Sequence, residues 1–127
     1  MSSPPRPTDA ELEILAVLWS RGPSTVRDVH AAINKRKPAQ YSTVLKFLQI
    51  MAEKGLVRRD EEQRAHVYQA ARPREWTQRQ LAGDLLQRGF NGSAKSLMMG
   101  ALSARKASKE ELAVMRRLLD EYEKREK

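Results

Sequence analysis

The chain has 127 residues, no cysteine and a formal net charge of +8, with 31% of its residues charged. That length allows one small core with an extension and excludes two large domains, while the lack of cysteine excludes disulfides, thiolate metal sites and cysteine nucleophiles. No apolar run approaches the roughly 20 residues that a membrane-spanning helix needs, so a soluble, cytoplasmic protein is expected.

Residues 1–7 contain Pro4, Pro5 and Pro7 and no hydrophobic run, and they read as a disordered tail. Thr8-Asp9-Ala10-Glu11 is a capping box, so a first helix starts there, with Leu12, Leu15, Ala16 and Trp19 on its core face until Gly22-Pro23 stops it. Thr25-Val26-Arg27-Asp28 repeats the capping pattern. It opens a second helix with Val29 and Ile33 as a narrow apolar seam, ending near Lys35, and Pro38 then forces the chain out.

From Gln40 the pattern becomes a third helix. Val44, Leu48 and Met51 recur at i, i+4 and i+7 as one apolar stripe, whereas Ser42, Lys46 and Gln49 project to the opposite side. Gly55 stands where a left-handed C-terminal cap belongs. Leu56-Val57 and Val67-Tyr68 then read as short strands around a charged turn. Three helices followed by a hairpin is the helix-turn-helix order with a wing. The expected fold is therefore mainly α with a small β-hairpin, and residues 8–72 form a winged-helix DNA-binding domain.

Residues 73–127 are expected to be a helical dimerisation domain. Pro73 starts a helix carrying Trp76, Leu81, Leu85 and Leu86, and Phe90-Asn91-Gly92 breaks it. Ser93 caps a short helix with Leu97, Met98 and Leu102. Ser108-Lys109-Glu110-Glu111 opens the last helix, where Leu112, Met115, Leu119 and Tyr122 fall at i, i+3, i+7 and i+10 as a two-heptad seam. A complete winged helix leaves these three amphipathic helices little to cover. A second copy is the natural cover, and folding back on their own domain is the other possibility.

Charge locates the partner. Residues 1–72 and 73–127 each hold 12 Lys and Arg against 8 Asp and Glu, but the segment from Lys35 to Arg59 holds seven cations against the single acid Glu53. Such clustering is the footprint of a polyanion-binding face. Ser42, Thr43 and Lys46 are the candidate base-reading residues, since the first half of a recognition helix enters the major groove. Arg58, Arg59 and Arg64 are candidate phosphate clamps. Tyr41 suits either a phosphate contact at the helix start or core packing. Ser24 and Thr25 can bind phosphate through hydroxyl and backbone N–H or simply cap the second helix.

His30 and His66 lie on separate elements and zinc needs three or four ligands, so no metal site and no cofactor are expected. Without a phosphate loop or paired histidines, and with the acids set on helix surfaces beside basic residues, the chain does not read as an enzyme. The competing reading is an architectural scaffold that binds nucleic acid without sequence choice.

In Thr8-Asp9-Ala10-Glu11-Leu12-Glu13-Ile14-Leu15 with Leu18-Trp19, in Val26-Arg27-Asp28-Val29-His30 and in Tyr41-Ser42-Thr43-Val44-Leu45 through Glu53-Lys54-Gly55-Leu56-Val57-Arg58-Arg59, the chain resembles the penicillinase and methicillin-resistance repressors of the BlaI/MecI type. The likeness continues through Arg64-Ala65-His66-Val67-Tyr68 and Phe90-Asn91-Gly92-Ser93 and covers nearly the whole chain. It implies a bacterial, homodimeric repressor that binds a palindromic operator in double-stranded DNA, controls resistance or envelope-stress genes and answers to an inducing protease or sensor. There are departures. Gln63 replaces a glycine common in the family's wing, which implies a looser turn. Gly100-Ala101 stands where inducible members carry a cleaved Asn-Phe bond, so induction by that cut is not implied. The ending Glu121-Tyr122-Glu123-Lys124-Arg125-Glu126-Lys127 lacks the cysteine-rich metal motif of copper-responsive relatives.

Overall fold

Thr8 opens the first helix by a reciprocal box in which its hydroxyl accepts from the Glu11 N–H at 3.2 Å while its own N–H donates to the Glu11 carboxylate at 2.9 Å. The computed structural model describes residues 6–62 and 64–126, so the expected tail is described only at Arg6 and Pro7, and the looser turn expected at Gln63 lies outside the described residues. Helix α1 runs Asp9–Arg21 and ends on Gly22. Its core face is Ile14, Leu15 and Leu18 together with Glu11. Leu12 and Trp19 are only partly buried, so the true stripe is rotated from the expected Leu12, Leu15, Ala16 and Trp19.

A two-residue strand β1, Ser24–Thr25, precedes α2, Val26–Arg36. Thr25 and Asp28 make the second capping box, with bonds of 3.1 Å in both directions. Helix α3 spans Tyr41–Lys54 and buries Val44, Leu48 and Met51 almost completely. It stops at Gly55, whose φ of 82° and ψ of 15° are left-handed and therefore cheap for glycine. Strands β2, Val57–Asp60, and β3, Val67–Ala70, form the hairpin. Leu56 lies just outside β2 and is not a strand residue as expected; its carbonyl accepts from the Ala71 N–H.

The sheet is antiparallel with order β1-β3-β2, and Tyr68 of β3 stands opposite both Ser24 and Arg59. The core of this unit joins Ile14, Leu15 and Leu18 of α1, Val26 and Val29 of α2, the α3 stripe, Val57 and Tyr68. Burying such side chains is worth roughly 1.5–3 kcal/mol each before entropy is charged against it.

Three further helices follow: α4, Arg74–Phe90; α5, Ala94–Ala104; and α6, Lys109–Arg125. Asn91 and Gly92 take positive φ at the break after α4. The chain divides into two compact units, residues up to Ala82 and residues from Gly83 on. The division falls inside α4, not at the expected boundary between 72 and 73. The reason is visible at Trp76: it lines a small cavity of about 70 Å3 with Leu15, Gly55 and Leu56, and the Arg72 guanidinium lies 4.8 Å from its ring centroid. Trp76, expected in a dimer seam, is thus packed in the first unit. Thr77 beside it is buried.

In the second unit, no described residue from Gly83 on is buried. Leu85, Leu119 and Tyr122 are 49%, 55% and 60% exposed. Leu86, Phe90, Leu97, Leu112 and Met115 are half-buried, as is Leu81 just before the division. A β-carbon on Gly100 would meet the Phe90 ring at 3.5 Å, so Phe90 packs beneath α5.

Candidate nucleic-acid interface

The N-terminus of α3 is held by the turn before it. The Asn34 carboxamide oxygen accepts from the Ala39 N–H at 3.0 Å, and His30 Nε2 donates to the Ala39 carbonyl at 2.7 Å. That bond places a proton on His30 Nε2, since a carbonyl oxygen can only accept. Its ring also meets the Tyr41 ring edge-on, centroids 5.7 Å apart. Tyr41 remains 48% exposed; it packs on this histidine and not in the core.

Beyond Tyr41, Ser42, Lys46 and Gln49 stand exposed on one side of α3 while the opposite stripe is fully buried. Thr43 is exposed too, but it lies about a quarter turn away and lines a cavity with Glu13, Ile33 and Phe47 beside α1. Gln40 gives α3 no side-chain cap, and the first turn holds no acid. The leading N–H groups and the positive end of the helix dipole therefore face outward without a carboxylate to neutralise them.

A groove of about 560 Å3 separates α3 from the wing, and it gathers Thr25, Tyr41, Arg59 and Arg64 with Arg27, Gln49 and His66. Arg58 points into a second groove with Gln49, Ala52 and Glu53. The expected wing arginines thus line two adjoining grooves along one flank of α3, the flank that faces the wing. Two expectations fare differently. Ser24 is 2% exposed and its hydroxyl donates to the Gly22 carbonyl at 2.9 Å, so that hydroxyl cannot face a ligand. Thr25 keeps its capping role and still borders the groove.

Arg27 and His66 went unremarked as site residues. Arg27 follows Thr25 in a capping motif whose local reading hides that α2 begins beside the wing. Glu11 departs from the expectation that the acids lie on helix surfaces. It is 1% exposed, and both of its carboxylate oxygens accept from Lys54 Nζ at 3.0 Å. Burial works to raise its pKa, but the Thr8 N–H and Lys54 outweigh this and hold it below the ordinary glutamate value. The pair ties the start of α1 to the end of α3.

The family model described as penicillinase repressor matches residues 7–121. The chain belongs to the penicillinase repressor family. Within that family it is 34% identical over 117 residues to the transcriptional regulator BlaI of Mycobacterium tuberculosis, covering 91% of this chain and 83% of that protein. It is 25% identical over 127 residues to the penicillinase repressor of Bacillus licheniformis, covering 100% and 99% of the two chains. Among solved structures, the Bacillus licheniformis BlaI monomeric form in complex with the blaP half-operator matches with a TM-score of 0.51 and 25% identity, over 59% of this chain and 92% of that one. The DNA-binding domain of the repressor BlaI matches with a TM-score of 0.51 and 26% identity, over 58% and 90%.

As a penicillinase repressor family member the chain is a sequence-specific DNA-binding transcriptional repressor and not an enzyme. Its winged-helix unit is the part these solved structures cover. Among the described residues there is no helix long and apolar enough to cross a membrane and no group of side chains able to hold a metal ion.

Proposed function

We propose that this repressor acts in the cytoplasm as a homodimer on an inverted-repeat operator, each α3 entering one major groove and occluding a promoter of resistance genes of the beta-lactam type. The observation that carries the reading is the contrast on α3: Ser42, Lys46 and Gln49 exposed, Val44, Leu48 and Met51 buried, with Arg58, Arg59 and Arg64 lining the grooves between that helix and the wing. Lys46 and Ser42 are assigned to base edges, with Thr43 at the flank. Tyr41, the N–H groups at the starts of α2 and α3, Arg58, Arg59 and Arg64 are assigned to phosphates, and Arg27 joins them.

The dimer rests on the second unit. The described residues from Gly83 on include none that is buried and expose Leu85, Leu119 and Tyr122, an arrangement that a matching apolar surface would stabilise. Leu81, Leu86, Phe90, Leu97, Leu112 and Met115 are assigned to the same seam, and Trp76 is not. The Bacillus licheniformis relative was solved in a monomeric form on a half-operator. By analogy one copy of this chain meets one half-site. Release by a cut at Gly100-Ala101 is not part of the proposal, because that pair carries neither Asn nor Phe and lies within α5.

Lys46→Ala tests the assignment of the helix face. A good base-edge contact is worth about 1–3 kcal/mol, so operator affinity is expected to fall by roughly five- to 150-fold while affinity for random duplex falls little. Both are measured in one buffer. An equal loss on the two duplexes would make Lys46 a backbone clamp.

A further inference from the structure

Arg59 of β2 borders both grooves between α3 and the wing, and Gln49 of α3 borders the same two. Its guanidinium is already engaged. The Tyr68 side chain first, and then Glu61, hold it above the ordinary arginine range, and its Nη2 pairs with the Glu61 carboxylate. Tyr68 is 1% exposed and so a fixed anchor, whereas the Glu61 side chain is 58% exposed. Glu61 stands in a tight turn, where the Glu62 N–H donates to Asp60 Oδ1 at 2.9 Å. A wing built only to grip phosphate has no use for that carboxylate. It cancels a cation and repels the duplex.

We propose that Glu61 competes with DNA phosphates for Arg59 and thereby holds down sequence-independent binding by this repressor. The inference rests on the operator-binding reading above. Binding to random duplex is almost wholly electrostatic, so one engaged cation is felt there in full, whereas base contacts from α3 are untouched by Glu61. The exposed ion pair is weak enough for a phosphate to displace it, yet every sequence must meet that cost.

The test uses the full chain on a random-sequence duplex across a salt series. Glu61→Gln frees one cation, so the log–log salt slope is expected to steepen by about 0.9, which at 0.1 M salt is about a tenfold gain in affinity. The same substitution in an Arg59→Ala background is expected to bring no gain over Arg59→Ala alone. Glu62→Gln, which removes the same charge without touching Arg59, is expected to leave the slope unchanged. The inference is overturned if Glu61→Gln leaves slope and affinity alone, if the gain persists without Arg59, or if Glu62→Gln matches it. A wild-type chain that binds neither random duplex nor operator overturns the operator-binding reading and this inference with it; wild-type binding with an unmoved Glu61→Gln slope overturns the inference alone.

Discussion

A fragment ending at Ala82 is expected to stay folded and to lose between a hundred- and ten-thousandfold in operator affinity. It keeps the core residues of α1, α2, α3 and the sheet, because all of them precede Ala82. It also keeps Trp76 and Thr77, which pack on that core and would be lost from a fragment cut at the wing. It loses the second unit, whose exposed Leu119 and Tyr122 are assigned to the dimer. Once one half-site is bound, linkage makes the second engagement intramolecular, and a monomer forgoes that gain. Sedimentation should give a dimer for the full chain and a monomer for the fragment, with the matching drop on an inverted repeat. A monomeric full chain, or a fragment as tight as its parent, contradicts the assignment.

The second large effect is on stability. Lys54→Met is expected to cost about 3 kcal/mol, since it leaves the Glu11 carboxylate, 1% exposed, with Thr8 as its partner and no cation. The figure sits at the low end for a broken buried pair because Lys54 itself is 31% exposed. The pH dependence follows from the sign of the shift. Glu11 has a lowered pKa in the folded chain, so its contribution is present above the unfolded glutamate pKa and disappears as the pH falls through the folded value. Wild type should therefore lose stability on acidification through that range, and Lys54→Met should show a shallower loss. Chemical denaturation at several pH values reads both. Equal midpoints for the two proteins at neutral pH would show that the pair contributes nothing.

Much of this architecture was legible because its signals are local. Thr8 with Glu11 and Thr25 with Asp28 each close within one helical turn, and Ser108 accepts from the Glu111 N–H at 3.0 Å as its spacing predicts. The α3 stripe and the Gly55 stop needed no tertiary knowledge either. What escaped was set by partners far along the chain. Glu11 reads as a capping acid, and nothing nearby announces that Lys54, 43 residues on, will seal it in the core. Trp76 falls in an apolar pattern that equally suits a seam; its cavity with Leu15 and Leu56 decides otherwise. Two residues are too few to show a period, so β1 was invisible, and with it the burial of Ser24. Tyr41 lies near the apolar stripe in projection, yet at the first turn of α3 it meets His30 at its edge and stays half open to solvent.

The central claim is that two copies of α3 read a symmetric sequence, and a selection from a randomised duplex pool tests it most directly because no operator need be known beforehand. The full chain is expected to enrich an inverted repeat whose half-site centres lie about one helical turn of DNA, roughly 10–10.5 base pairs, or a multiple of it apart. The enriched duplex should bind on the order of a thousandfold or more tighter than the starting pool at the same salt concentration. A recovered pool with no symmetric consensus, bound no more tightly than random duplex, would contradict the account.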